Sequence, residues 1–312
     1  MRYLITLAFI LALVSLGISS FMLYNFYLRN PENISIFSIP IKPNVMNSTF
    51  SIKDYPQGLV LYENIRFPDK TITFSIDSNC NNGKTTDAIN AFRLIQNSTI
   101  LKFTEIKDNG QIMISCSDDK KQTSEDYYIA GEGAPVIINT TKYSIILNGT
   151  VMLYEENKCS KPIVAIHEIL HILGFIHSSN KNSIMYNLSN CNQQVDPVII
   201  TKINSLYSDP SLPDLVIEKV NATKKDRYLS FEISVINEGL KNSSKTNITI
   251  YEETNQIAEY SLESLESGSG KILKVQNLRI SPTSENFTFV VNENNQFDEI
   301  DHQNNRVTLT LK

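Results

Sequence analysis

Three of the chain's four histidines fall in one eleven-residue stretch: His167-Glu168-Ile169-Leu170-His171-Ile172-Leu173-Gly174-Phe175-Ile176-His177. No other segment limits the fold as tightly. The surrounding run PIVAIHEILHILGFIH (162–177) reads as a helix with Pro162 near its start, where a missing amide costs nothing. His167 and His171 are four apart, so both imidazoles leave one helix face. Gly174 tolerates the left-handed backbone that ends a helix, which lets the chain turn and bring His177 back from outside it. Two ring nitrogens one turn apart and a third from beyond the turn suit one zinc ion at about 2.0–2.1 Å. Three protein ligands leave a fourth position open, the arrangement of a catalytic rather than a closed structural site. Glu168 adjoins the first histidine, placed to act as general base on a zinc-activated water and to return the proton to a leaving amine. Zinc, one catalytic ion, is the expected cofactor.

The rest of the chain separates into four parts. Residues 3–28 (YLITLAFILALVSLGISSFMLYNFYL) carry no charge and lie between Arg2 and Arg29. A bilayer-spanning helix needs about 20 apolar residues, and the apolar core of a cleavable signal peptide is about 7–15 residues. The run therefore reads as an N-terminal transmembrane anchor over residues 1–29, with a secretory signal as the alternative. Either reading puts the remainder outside the cytoplasm. Residues 30–57, with Pro31, Pro40 and Pro43 and no sustained periodicity, read as a stalk or linker.

Residues 58–210 mix two periods. TITFSID (71–77), LKFTEI (101–106) and QIMISCS (111–117) read as strands, 85–97 as a helix capped by Thr85 or Thr86, and VIITKINSLYS (198–208) as another helix. Asn148-Gly149 between two apolar runs predicts a hairpin within 142–155. After Asp209-Pro210-Ser211-Leu212-Pro213 the texture changes to short alternating strands without helical pattern, so 213–312 reads as an antiparallel sandwich. The formal net charge of −5 offers no basic stripe, so no nucleic-acid partner is expected. The four cysteines, Cys80, Cys116, Cys159 and Cys191, have no C-x-x-C spacing, which argues against a thiolate metal site.

The eleven-residue signature, followed by Ser178 and by Ser183-Ile184-Met185-Tyr186, resembles the metzincin clan of zinc endopeptidases, and within it the matrixin branch. Gly131-Glu132-Gly133-Ala134-Pro135 is also matrixin-like, and the likeness covers roughly residues 58–208. It implies an α+β domain, a twisted mixed sheet over the active-site helix, with one antiparallel edge strand that binds extended substrate. Residues 143–147 are the expected edge, joined by the Asn-Gly hairpin to a parallel strand at 150–155. The likeness implies that Met185 floors the zinc and that Tyr186 walls a substrate pocket. It places the strand ending near Cys80 beside the one ending at Cys116, and so favours the pairing Cys80–Cys116. Cys159 and Cys191 bracket the active helix and the methionine turn, so a Cys159–Cys191 bridge would brace the site. Three departures stand out. No cysteine precedes Cys80, so the family's cysteine switch is missing. Outside the signature only His302 remains, so a second, histidine-built zinc site is excluded. Asn187 replaces the proline usual after Met-Tyr.

Residues 213–312 resemble the cell-adhesion-related domain of bacteria (CARDB), an immunoglobulin-like sandwich, through Pro213-Asp214-Leu215-Val216-Ile217, the Val235–Gly239 stretch and the Asn292–Asn305 segment. Asp298, Glu299 and Asp301, like Asp118, Asp119, Glu125 and Asp126, lack calcium-ligand spacing and read as solvated turns, so Ca2+ is allowed but not indicated. The expected function is a membrane-anchored, extracytoplasmic zinc endopeptidase acting on proteins or peptides. Its sandwich is free to hold a surface ligand. The alternative is a surface adhesion protein with a vestigial peptidase domain.

Overall fold

The computed structural model describes residues 13–22, 34–37, 45–47, 59–119, 121–124, 127–140, 142–156 and 158–312. Residues 13–22 form an exposed helix, α1. The rest of the expected 3–28 span lies outside the described residues, and no helix among those described is long and apolar enough to cross a membrane. Two short strands, β1 (Ile34–Phe37) and β2 (Val45–Asn47), fall in the segment read as a linker. Strands of three or four residues are too short to show a period of two.

The first module is a mixed sheet with helices packed on it. In chain order it holds β3 (Ile65–Arg66), β4 (Thr71–Ile76), α2 (Asn82–Ser98), β5 (Lys102–Glu105), β6 (Ile112–Cys116), β7 (Lys121–Ser124), β8 (Tyr127–Ile129), β9 (Gly131–Asn139), β10 (Ser144–Leu153), α3 (Ile163–Ile172) and α4 (Pro197–Leu206). The sheet order is β2-β9-β10-β6-β4-β5, with β3 also paired to β10, while β7 and β8 form a separate ribbon. Strands β10, β6, β4 and β5 run parallel, and β9 runs antiparallel to β10. Helix α2 starts earlier than Thr85 or Thr86 would place it. Its cap is Asn81, whose side chain accepts from Lys84 N at 2.9 Å. Ile112, Ile114, Ile146, Val151 and Leu153 from the sheet meet Ile166, Ile169, Leu170 and Ile172 of α3 in one core. Each such burial contributes about 1.5–3 kcal/mol relative to exposure.

The expected hairpin at Asn148-Gly149 is absent: these residues lie inside the single strand β10, at a bulge between Ile146 and Asn148. A Cβ on Gly149 would sit 2.5 Å from Ile172 Cγ2, so the glycine serves a close strand–helix approach rather than a turn. The antiparallel strand beside β10 is consequently β9, over Gly131–Asn139, and not 143–147. Ser144, Ile145 and Ile146 are instead buried between neighbouring strands.

Both disulfides form. Cys80–Cys116 joins the turn after β4 to the end of β6, and Cys159–Cys191 spans the entry to α3 and the loop before α4. Closing loops of 36 and 32 residues is worth about 4 kcal/mol each on the chain-entropy view.

The second module packs two antiparallel sheets. One contains β11 (Leu215–Lys225), β12 (Tyr228–Asn237) and β15 (Gly270–Arg279), in the order β1-β15-β12-β11. The other contains β13 (Thr246–Glu252), β14 (Asn255–Leu262), β16 (Asn286–Val291) and β17 (Arg306–Thr310), in the order β14-β13-β16-β17. Phe231, Ile233, Val275, Phe287 and Phe289 fill the space between them. Strand β14 escapes a sequence reading because only Tyr260 and Leu262 on it are buried.

The two modules touch. Tyr143 and Ile145 of the first share an apolar cluster with Leu240 and Ile300 of the second. The Lys142 ammonium donates to fully buried Asp214 at 2.7 Å. Buried Arg66 ties the connecting segment down, donating to the carbonyls of Phe67, Pro68, Leu206 and Asp209 and lying 4.6 Å from the centre of the Tyr207 ring. Burial lowers its pKa, yet a guanidinium stays charged and is satisfied here by carbonyl oxygens.

Strand β9 reaches α3 only because it lacks side chains where it does. A Cβ on Gly133 would fall 2.4 Å from the Glu168 carbonyl oxygen, a backbone atom that cannot swing aside. Gly133→Ala is therefore expected to cost about 1–3 kcal/mol in denaturant unfolding, and a variant as stable as the parent would contradict this packing.

Candidate metal centre

Helix α3 places His167 and His171 one turn apart on a buried face, both about 5–6% exposed. The helix ends at Gly174, whose φ of +92° belongs to the left-handed region. A Cβ there would also strike Ile65 Cγ2 at 2.6 Å. The last turn is closed by Gly174 N donating to His171 O and Phe175 N donating to Leu170 O. The reversed chain then carries His177, which is less buried, back to the helix.

The three Nε2 atoms converge: His171–His167 at 3.0 Å, His167–His177 at 3.2 Å and His171–His177 at 3.2 Å. Among the described residues this is the one group of histidine, cysteine and carboxylate side chains able to hold an ion. The outer nitrogens explain the arrangement. His167 Nδ1 donates to Ile184 O at 2.7 Å, and His171 Nδ1 donates to Phe175 O at 2.8 Å. With the proton committed to Nδ1, each Nε2 of this pair turns a lone pair inward. Lone pairs at 3 Å repel one another unless a cation lies between them. A tetrahedral ion at the zinc–nitrogen distance needs its nitrogens about 3.3 Å apart, so the donor set fits zinc with small adjustment.

Electrostatics agree. Burial lowers the pKa of His167 to about 4, with a smaller push from His177. Burial and the two neighbouring rings drop His171 well below the usual value, and burial lowers His177. All three are therefore neutral at pH 7, the form that ligates a metal. Glu168 is raised to about 8, mainly by burial and then by Glu132. A divalent ion held by the histidines would draw that value back down. Glu168 lies under the start of β9, since a Cβ on Gly131 would come within 2.8 Å of its Cγ and 3.1 Å of its Oε1.

A second layer of contacts fixes the loop past the helix. Ser183 Oγ accepts from Met185 N at 3.0 Å and itself donates to the Asp196 carboxylate. Ile184 N donates to Gln194 O, and Ser178 N donates to Met185 O. Met185 is buried in the core with α3, and Tyr186 is half-buried. Sequence reading singled out Met185 and Tyr186 but missed Ile184, Phe175, Ser183 and Asp196. The first two act through main-chain oxygens, which every residue has. A hydroxyl two residues before Met185-Tyr186 was the only available hint of Ser183.

Among the described residues the acidic side chains of these segments do not join the centre. Asp118 pairs with Lys84 at 2.7 Å, and Glu125 and Asp126 lie outside the described residues. Glu299 is buried and accepts from Leu215 N, Asn292 Nδ2 and Asn305 Nδ2, so its oxygens are taken by the sandwich itself. Asp298 is exposed and Asp301 caps a turn through Gln303 N. His302 stands 3.4 Å from Glu299, apart from the triad.

Comparison with known proteins follows the same division. Residues 66–208 match the family model described as Matrixin, and residues 212–309 match the one described as CARDB. No curated protein is significantly similar to the chain. Among solved structures, the CARDB domain of a Pyrococcus furiosus protein, in complex with di-metal ions, is 21% identical and covers 32% of this chain and 90% of its own, with a TM-score of 0.28. A domain of a putative cell surface protein from Methanosarcina acetivorans is 22% identical and covers 31% and 89%, also with a TM-score of 0.28. The two matches together divide the chain near residue 210, matrixin-like before it and CARDB-like after it.

Proposed function

We propose that the chain is a zinc endopeptidase that cleaves extended polypeptides. The matrixin match supports a zinc metallopeptidase at the level of the family. The observation that carries the finer reading is the convergence of three neutral Nε2 atoms, two of them from the helix that also carries the buried carboxyl of Glu168. His167, His171 and His177 would hold the ion. Zinc, when bound, supplies a Lewis acid that activates water at neutral pH and polarises the scissile carbonyl.

The chain's own residues do the rest. Glu168 accepts the proton of the attacking water and hands it to the departing amine, so its carboxyl shuttles one proton per turnover. Ile184 O and Phe175 O hold two imidazoles in the tautomer that faces the ion. Strand β9, over Gly131–Pro135, has no strand on its outer side among the described residues. A substrate in extended form would add there by main-chain hydrogen bonds, with Glu168 beneath it. Met185 would floor the ion and Tyr186 would line the pocket for a substrate side chain. The charge-free 3–28 segment supports a membrane-anchored, extracytoplasmic location, and the two disulfides suit an oxidising compartment. The CARDB domain would act as a binding module beside the catalytic one.

Glu168→Ala should lower kcat/KM on casein by about 10²–10⁴-fold while zinc content stays the same. Equal casein digestion by both proteins, or none by the zinc-loaded parent, would leave the surface-binding reading in its place. Metal removal yields a further expectation. His167 and His171 have folded pKa values below their unfolded value, so the unfolded chain binds their protons first. The contribution of His167 is present above about pH 6.5 and is lost as pH falls toward about 4, and His171 acts in the same direction. Metal-free protein should therefore lose unfolding free energy across that window more steeply than a His167→Gln variant, as followed by urea titration at several pH values.

A further inference from the structure

Strand β2 pairs antiparallel with β9 in the register Val45–Ile138, Met46–Ile137 and Asn47–Val136. This is the outer edge of β9, the side away from β10. The catalytic end of the same edge is fixed by Gly131 and Gly133, which lie against Glu168. From Gly133 to Val136 is three residues, or about 10 Å of strand. A substrate strand antiparallel to β9, with its scissile bond over Glu168, would run its N-terminal residues along Ala134, Pro135 and onward to Val136–Ile138. Strand β2 already sits on that last stretch, and it runs in the substrate's own direction.

The preceding strand points the same way. Strand β1 adds to the edge of the sandwich, pairing Ile34–Phe37 with Ile272–Val275 of β15. One N-terminal segment thus supplies an edge strand to each module, joined by only the residues between Phe37 and Val45. Edge strands of three or four residues are held by a few main-chain bonds and exchange readily for another strand of like conformation.

We infer that residues 45–47 are an intramolecular competitor: a strap that occupies the upstream part of the substrate edge of β9 and must leave before a long substrate binds there. The inference rests on the endopeptidase reading for its consequence, but not for the strand exchange itself. It provides latency without a cysteine on the metal, because the blocked element is the main-chain edge and not the ion. Short substrates that stop before Val136 escape the competition, whereas substrates extended on the N-terminal side of the cut feel it.

The test uses the full chain. In a strand, consecutive amides point to opposite sides, so the double variant Met46→Pro/Asn47→Pro removes at least one donor to β9. Replacing Val45–Asn47 with three glycines weakens the strand without the proline ring and serves as the second variant. In either variant, amide exchange across Val136–Ile138 should speed up by about fivefold or more, as expected for losing about one main-chain hydrogen bond. A fluorescein-labelled peptide of residues 43–49 should bind both variants more tightly than the parent in an anisotropy titration, with no metal needed. With zinc, KM for a peptide extended on the N-terminal side should fall by a similar factor at unchanged kcat, and the unlabelled 43–49 peptide should restore the parent's KM. Unchanged exchange, equal peptide binding, or equal KM in an active enzyme each overturns the strap. Tighter peptide binding by variants that hydrolyse nothing when zinc-loaded would sustain the strap and sink the endopeptidase reading instead.

Discussion

Three imidazole Nε2 atoms facing one another at about hydrogen-bond distance are the interaction around which the first module is arranged. Left alone, such a cluster is unfavourable. Its rings are neutral, largely buried and short of donors toward the centre. Two outer nitrogens give their protons to main-chain oxygens, Ile184 O and Phe175 O, and the centre has the donor set for a divalent ion, which would relieve it. These carbonyls lie in the chain that follows α3. The helix end, the reversal at Gly174 and the loop to Met185 are therefore parts of one device. Ser183 and Asp196 hold that loop, and the Cys159–Cys191 bridge ties it to the entry of α3.

The sheet contributes by coming unusually close. Where β9 and β10 cross α3 the residues are Gly131, Gly133 and Gly149, and a methyl group at any of them would collide with Glu168 or Ile172. Close approach brings β9 against Glu168, so a strand added to that edge would lie near the proposed proton acceptor. Electrostatic preparation follows from the same packing. Burial keeps the histidines unprotonated and would keep Glu168 protonated without a cation nearby. A divalent cation held by the histidines would draw that carboxyl back toward its ionised form.

How much of this was legible in the sequence depended on whether side chains or main chain carry the function. The convergence of His167, His171 and His177 and the helix end at Gly174 could be read because they follow from residue type and spacing. The cysteine pairs followed once the matrixin resemblance supplied the strand order. Errors arose where backbone geometry decides. Asn148-Gly149 has the composition of a hairpin, yet the glycine is there for Ile172, and the strand runs straight through. The mistake moved the open edge from 131–135 of β9 to 143–147. Strands β1, β2 and β14 were missed because they are short or bury only one or two residues, leaving too little alternation to register. The contact between modules through Lys142, Asp214, Tyr143 and Leu240 joins residues far apart in sequence and leaves no local pattern.

The account stands or falls on the three histidines sharing one ion. X-ray absorption at the zinc edge, on metal-loaded protein, reads this directly. The account predicts one zinc per chain bonded to three imidazole nitrogens at about 2.0–2.1 Å, with one imidazole lost in His171→Asn. Failure to take up zinc, or zinc bound with an imidazole count that His171→Asn leaves unchanged, would contradict it.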